Sequence, residues 1–188
     1  MNRIYSATIA FFLFAVATYG LIEWYSAKEV DTSVLGNSNE PEFIAENLNS
    51  DVYQDAGNLS YVVEAQRMEH YEQLEVTHFE YPRYTLYPKN NKPTWQVTAN
   101  EGTLYNNNRV RLENRVRLIA TDKESLIQEV HGKNLEMDLK SNIISSEQTI
   151  LILGKGFTMY GSGLIVDLNT TQMTLTEHVQ TIYKKTKN

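Results

Sequence analysis

The sequence predicts an all-β, antiparallel domain carried behind a single amino-terminal transmembrane helix. Three observations lead there. From about Asp51 onward apolar residues recur with period two rather than 3.6. Turn-forming residues break that alternation at short intervals, with no amphipathic helix between them. Three stretches spaced about 30 residues apart repeat one pattern, the mark of a recurring supersecondary unit. Composition agrees, with 12 tyrosines, many β-branched residues and only 9 glycines. A chain of 188 residues accommodates one domain with appendages.

The first element is the apolar stretch at residues 4–22, which follows Arg3 without a charge and ends at Glu23. About 19 residues at roughly 1.5 Å each approach the thickness of a bilayer core. Arg3 and the amino terminus are positive, whereas Glu23, Glu29 and Asp31 follow the stretch with only Lys28 against them. The positive-inside bias therefore keeps residues 1–3 in the cytoplasm and sends the remainder across the membrane. Trp24 and Tyr25 sit at the height of an interfacial aromatic belt. Ala15-Val16-Ala17 has the form of a signal-peptide cleavage site, but the apolar run continues past it, which favours an uncleaved anchor. Residues 23–50 are polar and acidic and read as a linker.

The β domain is then expected over residues 51–188. Leu59, Tyr61, Val63 and Ala65 share a face, and the parity shifts near Gln66–Arg67, as at a bulge. Leu74, Val76 and His78 alternate, followed by Phe79 and Tyr81, with a bend at Pro82. Tyr84 with Leu86, Trp95 with Val97 and Ala99, Val110 with Leu112, and Val116 with Leu118 continue the series. Leu135, Met137 and Leu139, Ile150 with Ile152, Phe157 with Met159, Leu164 with Val166 and Leu168, and Met173 with Leu175 complete it. Ala56-Gly57-Asn58, Pro88 to Pro93, Asn106-Asn107-Asn108, Lys140-Ser141-Asn142 and Gly161-Ser162-Gly163 supply the turns. The repeat units start near Leu104, Leu135 and Leu164. One hairpin cannot bury its own apolar face, so the units must stack. The stack either closes as a jelly roll or runs on as a β-helix, and an unclosed stack leaves strand edges able to accept another strand.

Composition and motifs exclude more than they assign. A net charge of −6 disfavours wrapping nucleic acid. The absence of cysteine removes disulfides, thiolate metal sites, cysteine nucleophiles and lipoprotein anchors. His70, His78, His131 and His178 stand singly, and no nucleotide or hydrolase motif is present, so neither an enzyme nor a metal or other cofactor is expected. Arg109, Arg111, Arg115 and Arg117 alternate with apolar residues and fall on the outer face of a hairpin, either solvated or set to meet phosphate. Lys184, Lys185 and Lys187 form a basic tail. Phe79, Met137, Phe157, Met159 and Met173 fall on the inward face, a mix that serves as ordinary core or as a lining for acyl chains.

Several stretches, taken in order, resemble the LptC family of bacterial lipopolysaccharide export: Val52-Tyr53, Gly57-Asn58-Leu59-Ser60-Tyr61, Glu64-Ala65, Phe79 to Pro82, Lys92 to Ala99, Leu153-Gly154 with Phe157, and Ser162-Gly163-Leu164. The resemblance implies an open, V-shaped, twisted β-jellyroll in the periplasm, held to the inner membrane by its anchor. It implies lipopolysaccharide as cargo, an inner-membrane ABC transporter at the amino-terminal end, and the bridge protein LptA at the carboxy-terminal edge. Family groove positions fall on Leu48, Phe79, Met173 and Tyr183, joining Met137, Phe157 and Met159 from the inward face. The loop glycine of the family falls on Gly154, after Leu153, where a left-handed backbone is expected. A membrane-anchored assembly protein that uses its sheet edges without a lipid is the alternative from a different class, and a carbohydrate-active jelly roll is a third.

Overall fold

The computed structural model describes residues 40–87 and 95–183, together with Thr18. Apart from Thr18, the expected anchor at residues 4–22 lies outside the described residues, as do the Pro88 to Pro93 turn and the basic tail. Among the described residues no helix is long and apolar enough to cross a membrane. The chain divides into two compact units, Met1–Glu40 and Pro41–Asn188, and all the strands belong to the second.

Twelve strands follow one another: β1 (Phe43–Tyr53), β2 (Leu59–Tyr71), β3 (Val76–Glu80), β4 (Arg83–Leu86), β5 (Trp95–Thr98), β6 (Glu101–Tyr105), β7 (Arg109–Ala120), β8 (Ile127–Asp138), β9 (Ile143–Ser146), β10 (Ile150–Gly154), β11 (Phe157–Asp167) and β12 (Gln172–Tyr183). Every pairing is antiparallel. The strands form one sheet in which β1 pairs with β2 and β12 pairs with β11.

The sheet is folded along a seam. Left-handed backbone angles occur at Asn47 in β1, Tyr81 between β3 and β4, Asn114 and Arg115 in β7, Gly163 in β11 and His178 in β12. The breaks between β5 and β6 and between β9 and β10 fall on the same line. Hydrogen bonds tie it together: the Tyr81 amide donates to the Asn100 carbonyl at 2.8 Å, Ala99 to Pro82 at 3.2 Å, and Asn100 to Asn114 at 2.9 Å. On one side lies a leaf containing β3, β6 and β9 with the start of β1, β7 and β12 and the end of β2, β8 and β11. On the other lies a leaf containing β4, β5 and β10 with the remaining halves of the long strands. We call these the β3 leaf and the β4 leaf. Their inward faces share one apolar core, which includes Phe79, Leu112, Met137 and Ile144 from the first and Tyr84, Val97, Leu118 and Ile152 from the second.

The seam accounts for three departures from the sequence reading. β1 begins at Phe43, so residues 43–50 are strand rather than linker. Left-handed Asn47 puts Ala45 and Leu48 on the same inward face, which erases the period of two. The parity shift at Gln66–Arg67 is present, with Ala65 and Met68 both inward, but no residue is inserted. The β1–β2 register runs unshifted from Phe43↔His70 to Val52↔Tyr61, so this is a kink crossing both strands rather than a bulge. Gly161-Ser162-Gly163 lies inside β11, at the seam, and makes no inter-strand turn. Leu74, in turn, belongs to the β2–β3 turn and not to a strand.

The remaining left-handed residues close turns. Glu75, Asn108, Asn142 and Thr171 stand at the free end of the β3 leaf, and Gly57 and Gly156 at that of the β4 leaf. The 30-residue repeat is therefore visible as stacked hairpin ends: the Leu139 amide donates to the Asn108 carbonyl and the Leu168 amide to the Asn142 carbonyl, each at 3.0 Å. Asp138 accepts from the Ser141 and Lys140 amides, and Asp167 from the Asn169 amide. The Ser141 amide above all holds the Asp138 carboxyl below its usual range.

Gly163 and Gly57 separate the two uses of a left-handed residue. A Cβ on Gly163 (φ +68) would lie 1.9 Å from Thr176 Oγ1, whereas one on Gly57 (φ +81) meets nothing within 4 Å. Gly57→Ala should cost about 1 kcal/mol through backbone conformation alone, and Gly163→Ala about 2–3 kcal/mol because Thr176 must also move. Urea unfolding measures both, and equal losses would contradict a crowded seam at Gly163.

Candidate functional site

The inward faces carry continuous rows of cross-strand partners. In the β3 leaf one row runs Leu104, Val110, Met137, Ile144, Val166, Met173. In the β4 leaf another runs Val63, Tyr84, Val97, Leu118, Val130, Ile152, Met159, Thr181. A third, nearer the free end of that leaf, joins Gly154, Phe157 and Tyr183 near β12 and Val52, Tyr61, Leu86 and Trp95 near β1. Alternation in long antiparallel strands produces such rows, because residues i and i+2 share a face and partners across the ladder share it too.

All seven residues expected to line a groove fall on this inward surface, at different depths. Met137 and Phe79 are 1% and 5% exposed and belong to the central core. Leu48, Phe157, Met159 and Met173 are half-buried and pack against that core. Tyr183, on the last strand, is 79% exposed. The core is therefore tight at its middle and loosens toward β12. Beyond β12 and β1 the described residues place no further strand, so each presents a free ladder edge. Phe43, Ile44 and Tyr53 on β1 and Val179, Ile182 and Tyr183 on β12 are large apolar residues left exposed there.

Two places on the inward surface have features that strand periodicity does not reveal. A cavity of about 580 Å³ opens between the β1–β2 turn and the hairpin ends of the β3 leaf, lined by Val52, Tyr53, Tyr61, Asn108, Leu139 and Asn142 among others. Tyr84 is 1% exposed, its ring lies edge-on to Phe79 at 6.3 Å and tilted against Tyr61 at 6.1 Å, and its hydroxyl has no hydrogen-bond partner among the described residues. Burial raises the pKa of both Tyr84 and Tyr61, so both phenols stay protonated. The alternation of Tyr84 with Leu86 marks it as inward in the sequence, but an unpaired hydroxyl is a property of the packed core.

The outer face is polar. Arg109, Arg111, Arg115 and Arg117 are all exposed on it, as alternation requires. Arg111 meets Glu113 at 3.3 Å and Arg117 meets Glu129 at 2.8 Å, while Arg109 stands opposite Asp138. Arg67 approaches Glu69, Glu46 and Glu80 at 2.7, 3.7 and 4.0 Å. The histidines pair with single polar groups: His70 with Thr77, His78 with Thr103, His131 with Glu129. Among the described residues no group of three or more acidic or histidine side chains could hold a metal ion.

Gly154 requires a correction. Its φ is not in the left-handed range; Gly156, two residues on, supplies that turn with φ +81. Gly154 is needed for space, since a Cβ there would lie 2.1 Å from the Phe157 ring. Any side chain at this position must displace Phe157 from the inward row. Gly154→Ala should therefore destabilise the domain, and Phe157→Ala should remove most of that cost. A double-mutant cycle in urea should give a coupling of about 1–2 kcal/mol; additive losses would contradict the contact.

Comparison with known proteins follows this geometry. Residues 8–184 match the family described as LptC: Lipopolysaccharide-assembly, LptC-related. The chain is 30% identical over 159 residues to the lipopolysaccharide export system protein LptC of Escherichia coli (strain K12), covering 84% of this chain and 83% of that protein. It is 25% identical over 187 residues to the protein of the same name in Haemophilus influenzae, covering 88% and 90%. Among solved structures, it is similar to LptH, described as the LptA homologous periplasmic component of the lipopolysaccharide transport device of Pseudomonas aeruginosa. That likeness has a TM-score of 0.52 at 12% identity over 66% of this chain and 95% of the other, and it bears on the fold alone. With a family match spanning most of its length, this chain belongs to the LptC-related family of lipopolysaccharide-assembly proteins.

Proposed function

We propose that this chain is a non-enzymatic component of lipopolysaccharide export, anchored in the inner membrane by residues 4–22 with its β domain in the periplasm. In this reading it receives lipopolysaccharide from an inner-membrane ABC transporter and passes it along its inward face to LptA. One observation supports this above the others: apolar rows span most of the inward face, from Val63 on β2 to Met159 on β11 in the β4 leaf and from Leu104 on β6 to Met173 on the edge strand β12 in the β3 leaf. A chain of carriers joined edge to edge would make such rows into one continuous trough.

The physical demand is simple. An acyl chain in water costs about 0.8 kcal/mol per methylene relative to an apolar site. Cargo crossing an aqueous gap therefore needs an apolar path, and a path that releases its cargo cannot hold every methylene tightly. The rows supply apolar surface, and their loosely packed end at half-buried Met173, Met159 and Phe157 and exposed Tyr183 is where a chain can enter or leave with the least repacking. The outward arginines are largely matched by carboxylates, which leaves the tails of the lipid, rather than its phosphates, as the part held.

The tight middle of the core favours a second reading, in which the domain is an assembly module that uses its edges and binds no lipid. Photo-crosslinking separates the two. Crosslinkers at Met159, Met173 and Tyr183 should capture lipopolysaccharide during ATP-driven transport, and one at outward Arg111 should capture little. Capture at Arg111 equal to that at the inward positions would favour the assembly module.

A further inference from the structure

From the packing around Tyr84 we infer a specificity contact: its hydroxyl is the polar group with which the inward face recognises an oxygen on an acyl chain, an ester, amide or hydroxyl oxygen rather than plain methylene. The inference rests on the lipid-carrying reading above and adds to it which part of the cargo is read.

Tyr84 is 1% exposed, and its hydroxyl oxygen is the buried side-chain polar atom left without a partner among the described residues. Its cross-strand partners are Val63 and Val97, and its ring neighbours are Phe79 and Tyr61. A phenylalanine would fill the same ring position and leave nothing unsatisfied. Buried polar groups in folded proteins are nearly always paired, and one that is not calls for an explanation. Phe79 lies in the β3 leaf and Tyr84 in the β4 leaf, so their edge-on contact at 6.3 Å joins the two leaves beside the seam. A chain that enters between the leaves parts these rings and uncovers the hydroxyl. As a protonated phenol it then donates to a carbonyl or hydroxyl oxygen, in surroundings where no water competes. Plain hydrocarbon cannot accept that bond, so the site distinguishes acyl chains by their oxygens.

The test is Tyr84→Phe in the full chain held in amphipol, with two readouts. Thermal unfolding should be unchanged or higher, because an unsatisfied group is removed. Equilibrium competition should use lipopolysaccharide, a fluorophore-labelled acyl chain with an in-chain ester, and its all-methylene counterpart. The wild-type chain should prefer the ester probe by about 5- to 10-fold, the worth of one hydrogen bond. Tyr84→Phe should lose that preference while keeping its affinity for the methylene probe. A lowered unfolding temperature would show that the hydroxyl is already satisfied in the empty protein and would overturn the inference. An unchanged preference for the ester would overturn it as well. If wild-type chain fails to bind lipopolysaccharide, the carrier reading fails first and takes this inference with it.

Discussion

A sheet this wide can bury its apolar face without a second layer only by folding onto itself, and that demand falls on the backbone at one level, inside the long strands and between the short ones. In β1, β7, β11 and β12 the level is marked by a left-handed residue: Asn47, Asn114 with Arg115, Gly163 and His178. Where β3 gives way to β4 it is Tyr81 followed by Pro82, which has no amide to donate. Non-glycine residues pay roughly 1–2 kcal/mol for such angles. They persist because the fold brings Leu112 and Leu118, or Leu164 and Met159, into one core from opposite sides of the line. Without the seam the two leaves would form one flat sheet with an exposed apolar face.

Under the proposed function, the same arrangement lets the domain be both stable and yielding. Backbone hydrogen bonds run within each leaf and across the seam, whereas contacts between the leaves away from it are side-chain packing. Parting the leaves at their free ends would therefore spare the ladders and cost apolar contact, which an incoming acyl chain would restore. The unpaired edges of β1 and β12 complete the design, since strand addition continues the apolar rows without altering the seam.

Much of this was legible in the sequence where local rules decide. Period two marked β2, β5, β7 and β8, and the stacked turns at Asn108, Asn142 and Thr171 were announced by a repeat of about 30 residues. The inward side of Met137, Phe157, Met159 and Met173 followed from alternation, whereas in β3 the alternating residues Val76 and His78 lie on the face opposite the buried Phe79. The start of β1 was not legible, because Asn47 breaks the parity that would reveal it. Gly154 was expected to supply a left-handed loop conformation when it is a space-maker, since the Phe157 ring that fills the space is known only after folding. The unpaired hydroxyl of Tyr84 was hidden for the same reason: satisfaction of a polar atom depends on every element packed around it.

The central claim of the proposal is that the two leaves part, widest at their free ends, to hold acyl chains. The natural absence of cysteine allows clean spin labelling. Labels at Tyr53, on the β1 side of the cavity, and at Lys140, on the facing hairpin end, report the separation directly by electron–electron double resonance. The account predicts a longer and broader distance distribution when lipopolysaccharide is bound than when the protein is empty. An unchanged distribution at saturating lipopolysaccharide would contradict it.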